Sequence, residues 1–189
     1  MAARGLGPTP TSTQGLDSFV MPRLIILNGP SGCGKSTLAA RYADDHPLTL
    51  NLDIDRIRDL IGAWRSEPGS AGLLARAAAL AAARTHLAAG HDVIIPQFLR
   101  RPAFLEQIDE LAAATGVRSY EIVLMDSKDN ALRRFAARPT SEPVDPALLS
   151  TMYDDLLVML ATRPRAVIVP TVQGEVDRAY EALLACLRL

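Results

Sequence analysis

Short runs of Val, Ile and Leu without polar alternation recur along the chain, separated by longer stretches with helical spacing. "RLIILN" (23–28), "LTLNL" (48–52), "DVIIPQF" (92–98), "SYEIVLM" (119–125) and "RAVIVPT" (165–171) predict five strands. Helices are predicted between and after them, over 35–43, 55–64, 71–89, 101–116, 127–138, 146–161 and 175–189. Gly90 and Gly116 stand as C-terminal stops, and Ser127 as an N-terminal cap. "SEPGS" (66–70) is expected to break the chain, Pro96 to end the third strand, and "PTSEPVDP" (139–146) to be a loop. Continuous apolar strands alternating with helices imply a parallel sheet buried on both faces. The expected fold is therefore α/β, with five parallel strands sandwiched between helices in three layers.

The first 21 residues break this pattern. They are rich in Gly, Pro, Ser and Thr, show no periodicity and lack the long apolar core of a secretory signal. A disordered tail is expected over 1–21, with Met21 offering an alternative translation start, and one domain over 22–189.

Composition narrows the function classes. Among 189 residues, 49% are hydrophobic and 22% charged, as in an ordinary soluble domain. The net charge of −1 speaks against a nucleic-acid partner. No apolar run is long enough to span a membrane, since Arg76, Arg84 and His86 interrupt the alanine-rich stretch that comes nearest. The two cysteines, Cys33 and Cys186, lie far apart and form no metal or disulfide spacing, which fits a reducing, cytoplasmic setting. Oligomeric state is left open.

The first strand runs into "GPSGCGKST". Gly29 to Ser36 match G-x-x-x-x-G-K-[ST] at every fixed position, with a strand before and a helix after. Glycines let successive amides turn toward an anion, and the following helix adds the positive end of its dipole. Gly29, Ser31, Gly32, Cys33, Gly34, Lys35, Ser36 and Thr37 are the candidate triphosphate contacts. Lys35 reaches for the β- and γ-phosphates, and the Ser36 hydroxyl is a candidate Mg²⁺ ligand. The Cys33 thiol would make such a site sensitive to oxidation. The loop by itself does not separate a kinase from an ATPase or a switch protein.

The second strand ends in "LDIDRIR". Two carboxylates there, Asp53 and Asp55, lie at the edge where open parallel sheets bind ligands. A carboxylate in that place accepts a proton from an attacking hydroxyl or holds Mg²⁺. Arg58 follows Asp55 by one helical turn. The competing reading is that either aspartate only caps the next helix.

The loop together with "LDIDRIR" resembles adenylylsulfate kinase, gluconate kinase and their relatives. More broadly, 22–188 resembles the small P-loop kinases that include chloramphenicol phosphotransferase and the kinase domain of polynucleotide 5′-kinase. The resemblance implies Mg·ATP as donor, Asp55 as base for the acceptor hydroxyl with Arg58 as its partner, and Asp53 supporting metal or acceptor. The alternative register, Asp53 with Arg56, has the same spacing. It also implies a lid over about 134–146 whose arginines, Arg134 and Arg138, close over the triphosphate. Adenine would lie near Thr171 to Gly174. The third strand departs from the pattern: Pro96-Gln97-Phe98 stands where many relatives carry an acidic residue. Gln97 is a candidate substrate contact by hydrogen bonding, against the alternative of an amide bonded to backbone. Trp64 is a candidate wall of the substrate pocket. Arg133 reads as solvated charge, His86 as structural, and Tyr153, Asp154 and Asp155 as a solvated helix face.

The leading expectation is an ATP-dependent kinase acting on a hydroxyl of a small molecule such as an antibiotic, sugar, nucleoside or other metabolite. A slowly hydrolysing nucleotide switch, a nucleoside monophosphate kinase drawing on Arg76 and Arg84, and a polynucleotide 5′-end kinase remain alternatives.

Overall fold

Five strands form one all-parallel sheet in the order β2-β3-β1-β4-β5. They are β1 (Arg23–Asn28), β2 (Leu50–Asn51), β3 (Val93–Pro96), β4 (Arg118–Met125) and β5 (Val167–Pro170). Among the described residues seven helices connect and follow them: α1 (Lys35–Asp45), α2 (Ile54–Asp59), α3 (Pro68–Ala88), α4 (Pro102–Thr115), α5 (Lys128–Ala136), α6 (Pro146–Ala161) and α7 (Val176–Cys186). This computed structural model describes residues 21–137 and 145–188. The expected tail, apart from exposed Met21, and most of the expected lid, including Arg138, lie outside them.

The central strands are apolar on both sides because both sides are covered. Ile25, Leu27, Ile94, Ile122 and Leu124 pack with α1 and α7 through Leu38, Tyr42, Tyr180 and Leu183. Leu24, Ile26, Val93 and Ile95 pack on the opposite side against α3, α4 and α6. α3 buries Ala71, Ala75, Ala79 and Ala83, a stripe at four-residue spacing that fits its backbone close to this layer. Tyr42 Oη donates to Asp92 Oδ2 at 2.6 Å, and the same carboxylate accepts from the Arg23 amide at 2.7 Å, tying α1 to the entry of two strands.

Several boundaries differ from the sequence expectation for physical reasons. β2 is confined to two residues because Leu48 adopts φ 66 and is exposed, which takes it out of the ladder. α2 stops at Asp59, and Ala63 (φ 51) turns the chain back, so Trp64 lies on a turn rather than on a helix. "SEPGS" does not break the chain throughout. Pro68 begins α3, at the helix position where a missing N–H is harmless.

Glu121 is a buried carboxylate midway along β4, in register with Ile26 of β1. Its Oε2 accepts from Arg163 Nε at 2.8 Å, and the Arg163 guanidinium also reaches Asp109 at 2.8 Å. Glu121 Oε1 is buried without a hydrogen-bond partner among the described residues. Burial pushes the Glu121 carboxyl above its ordinary value of 4.5, and Arg163 opposes the shift. The folded chain therefore holds this proton to higher pH than the unfolded chain, and stability falls as pH rises through that window. Glu121→Gln is expected to flatten the decline in unfolding midpoint from about pH 4.5 toward neutrality. Thermal melts of both proteins across that range check it; parallel curves would contradict it.

Candidate active site

All five strands end at one edge, so the loops after β1, β2, β3, β4 and β5 share it. Strand order reverses between β1 and β4, the place where ligands enter open parallel sheets. The loop after β1 lies there. Gly29 approaches the Leu124 carbonyl of β4, and Gly32 packs beneath the Cβ of Arg134. Gly34 (φ 96) is the N-cap of α1 and offers no side-chain cap, so the first amides of α1 are left for an anion. Lys35 Nζ donates to the carbonyls of Gly29 and Pro30, each at 2.8 Å, and lies 3.8 Å from Cys33 Sγ. Ser36 and Thr37 are exposed on the first turn, and Ser31 is half-buried. The Cys33 thiol is 5% exposed, turned into the layer beneath the loop.

Asn28 belongs to no phosphate-loop motif, yet it anchors the loop. It is fully buried; its Oδ1 accepts from the amides of Gly29 (2.7 Å) and Leu99 (2.8 Å), and its Nδ2 donates to the Leu99 carbonyl (2.9 Å). One amide thus locks the start of the loop to the segment after β3. The sequence cue was an Asn ending an apolar strand, since a buried polar side chain there requires partners.

The two aspartates after β2 separate by role. Asp53 is the N-cap of α2, accepting from the Asp55 amide at 3.0 Å, with Arg56 3.8 Å from its other oxygen. The capping alternative therefore describes Asp53. Asp55 projects from the first turn and pairs with Arg58 at 3.1 Å. The Arg58 guanidinium carbon lies 4.2 Å from the centre of the Trp64 ring, and that of Arg65 lies 4.5 Å from it. The turn after α2 thus delivers Trp64 to the Asp55–Arg58 pair. Gln97 continues the ladder through its amide to the Leu27 carbonyl (3.0 Å), but its buried Oε1 has no partner among the described residues. The alternative of a side chain bonded to backbone does not describe that oxygen.

Arg134 is drawn into an ion pair with Asp126, the residue that follows β4. Asp126 Oδ1 accepts from the Ser127 amide and from Asn130 Nδ2, and Tyr153 Oη donates to the Asp126 carbonyl at 2.8 Å. Arg133 is exposed and bonded to Asn130. The expectation of a solvated face over Tyr153 to Asp155 holds for Asp154, which is exposed, and is corrected for Tyr153. Tyr153 is buried, Asp154 binds Lys128, and Asp155 binds Arg100 at 2.7 Å, so the middle of α6 is tied to the segments after β3 and β4. His86 bonds the Leu48 carbonyl at 2.7 Å, in keeping with a structural role. Beside the loop, a cavity of about 270 Å³ is lined by Gly34, Thr37, Arg134, Thr171, Gln173 and Val176.

Loop, switch point and sheet order together define a P-loop nucleotide-binding domain. Residues 24–170 match the model of an AAA domain family, and the chain belongs to that family. No curated protein matches it significantly. The fold is that of P-loop kinases among the solved structures. A gluconokinase from Sinorhizobium meliloti 1021 is 22% identical with a TM-score of 0.62, covering 89% of this chain and 93% of its own. The tunicamycin resistance protein of Deinococcus radiodurans is 16% identical with a TM-score of 0.63, covering 89% and 96%. An APS kinase from Mycobacterium tuberculosis is 14% identical with a TM-score of 0.56, covering 89% and 99%.

Among the described residues no helix is long and apolar enough to cross a membrane, and no cluster of three His, Cys, Asp or Glu side chains is placed to hold a metal. Mg²⁺ carried on a nucleotide needs only one or two protein oxygens. Ser36 fits as such a ligand. Asp53 fits less well, because its carboxylate is engaged by its own helix.

Proposed function

We propose that the protein is a cytoplasmic kinase that transfers the γ-phosphoryl group of ATP to a hydroxyl of a small molecule. The observation that carries this reading is the Asp55–Arg58 pair on the edge that also bears the complete phosphate loop. A switch that only binds and slowly hydrolyses nucleotide needs no second carboxylate of this kind. The loop amides and Lys35 hold the triphosphate, and adenine occupies the cavity beside Thr171 and Gln173. Ser36 is the residue that would ligate Mg²⁺, which when bound offsets phosphate charge. Asp55 takes the proton of the acceptor hydroxyl as its oxygen bonds to the γ-phosphorus. The bond from that phosphorus to the β–γ bridging oxygen breaks, and ADP leaves. Arg58 orients Asp55, and Trp64 walls the acceptor. Arg134 lies against the loop, and with Arg138 it would stabilise charge on the transferring group once released from Asp126.

The kinship with a gluconokinase and an APS kinase in fold supports phosphoryl transfer and leaves the acceptor open. The test is ADP release by purified protein with Mg·ATP across a library of hydroxyl compounds. Stimulation by one compound class, with a phosphorylated product, is expected. Basal hydrolysis unaffected by every acceptor would favour the switch instead.

A further inference from the structure

Beyond Phe98 lies a cavity of about 320 Å³, lined by Phe98, Leu99, Arg100, Arg101, Phe104 and Arg76. Three arginines from two parts of the chain therefore line one hollow. Arg76 comes from α3; Arg100 and Arg101 lead into α4. Only Arg100 has a carboxylate partner among the described residues, Asp155 at 2.7 Å. Arg76 lies 6.0 Å over the Phe104 ring. Arg101 occupies the N-cap of α4 without capping it, although a cation is unfavourable beside the positive end of a helix. Arg76 and Arg101 are exposed, and a concave wall carrying charges of one sign attracts an anion.

The hollow adjoins the phosphate loop. Phe98 also lines a smaller pocket with Pro30 and Ser31, and Lys35 Nζ is 5.8 Å from the Phe98 ring centroid. One aromatic ring thus separates the donor side from the arginines. The helix bearing Arg76 packs on α2, which bears Asp55.

We infer that the acceptor is itself an anion: a hydroxyl compound carrying a carboxylate or phosphate group that Arg76 and Arg101 hold in this hollow. Its carbon skeleton lies against Phe98 and Phe104, which leaves the hydroxyl toward the loop. Guanidinium groups suit both oxyanions because their paired N–H groups match two oxygens at once. The inference rests on the kinase reading for the hydroxyl, whereas the anion site stands on its own residues.

The test has two arms. In the first, inorganic phosphate is titrated calorimetrically into protein saturated with Mg²⁺ and the β,γ-imido analogue of ATP, which fills the triphosphate site. Binding is expected, weakened about tenfold or more in Arg76→Ala and in Arg101→Ala. Arg84→Ala removes the same charge from the same helix and is expected to change little. In the second arm, hydroxyl compounds are compared in matched sets bearing a carboxylate, a phosphate monoester or a neutral amide. The charged members are expected to give at least about tenfold higher kcat/KM, with Arg76→Ala raising KM more than it lowers kcat. Phosphate binding equal in all three variants would overturn the inference, as would neutral members that react as well as charged ones. Should no compound release ADP, the kinase reading fails, and the phosphate titration still decides the anion site.

Discussion

Asp55→Asn is expected to lower acceptor-stimulated ADP release by about 10²–10⁴-fold, the usual contribution of a general base. Its fold stability and nucleotide affinity should stay near those of the parent. Asp55 makes one ion pair, with Arg58 three residues on, and its side chain is 56% exposed. A pair of that kind contributes only about 0.2–0.5 kcal/mol, so its loss does not disturb α2. Asp53→Ala is expected to behave in the opposite way. It removes the N-cap of α2 and costs about 1 kcal/mol in stability, with a smaller effect on the chemical step. Steady-state kcat at saturating ATP and acceptor, read beside unfolding midpoints, separates the two. If Asp55→Asn retained most of the stimulated rate while Asp53→Asn lost it, the base would be Asp53, and the shifted pairing with Arg56 would be the functional one.

This division between two neighbouring aspartates shows where sequence reasoning stops. Both carboxylates and their position after β2 are visible in "LDIDRIR", but spacing alone does not say which one turns back to cap the helix. The phosphate loop was legible in full because its chemistry is local, with contiguous residues forming one anion-binding turn. The strands were legible because a parallel sheet covered on both faces demands unbroken apolar runs. The missed residues act over long separations. Asn28 bonds Leu99 across 71 positions, and Tyr153 reaches Asp126 across 27. Nothing periodic marks such pairs. Trp64 was placed on a helix because "DRIRDLIGAW" has helical composition, yet the positive φ of Ala63 ends that trend and returns the ring to Arg58. Arg100 and Arg101 follow Phe98 directly in the sequence, but only the packing of α3 beside the start of α4 brings Arg76 to them.

Gly29→Ala is expected to have the largest effect on nucleotide binding of any single methyl added to the chain. A Cβ at this position would stand 2.2 Å from the Leu124 carbonyl oxygen and 3.0 Å from Cys33 Sγ. The oxygen belongs to the backbone of β4, in the middle of the sheet, and has no room to withdraw. Residue 29 also has φ +133, a conformation that side-chain-bearing residues avoid, at a cost of about 1–3 kcal/mol before the clash is added. The loop itself must therefore move, which pulls the Gly29 amide away from Asn28 and loosens the link to Leu99. Affinity for a fluorescent ATP analogue should fall by at least about two orders of magnitude, with a lower unfolding midpoint, because preorganised loop amides contribute much of the phosphate binding. Gly72→Ala is the control. It lies inside α3 with open space around its absent Cβ and is expected to gain about 0.5–1 kcal/mol in stability with nucleotide affinity intact. A Gly29→Ala protein that bound nucleotide at parental affinity with an unshifted midpoint would show that the close approach of the loop to β4 does not shape the phosphate site.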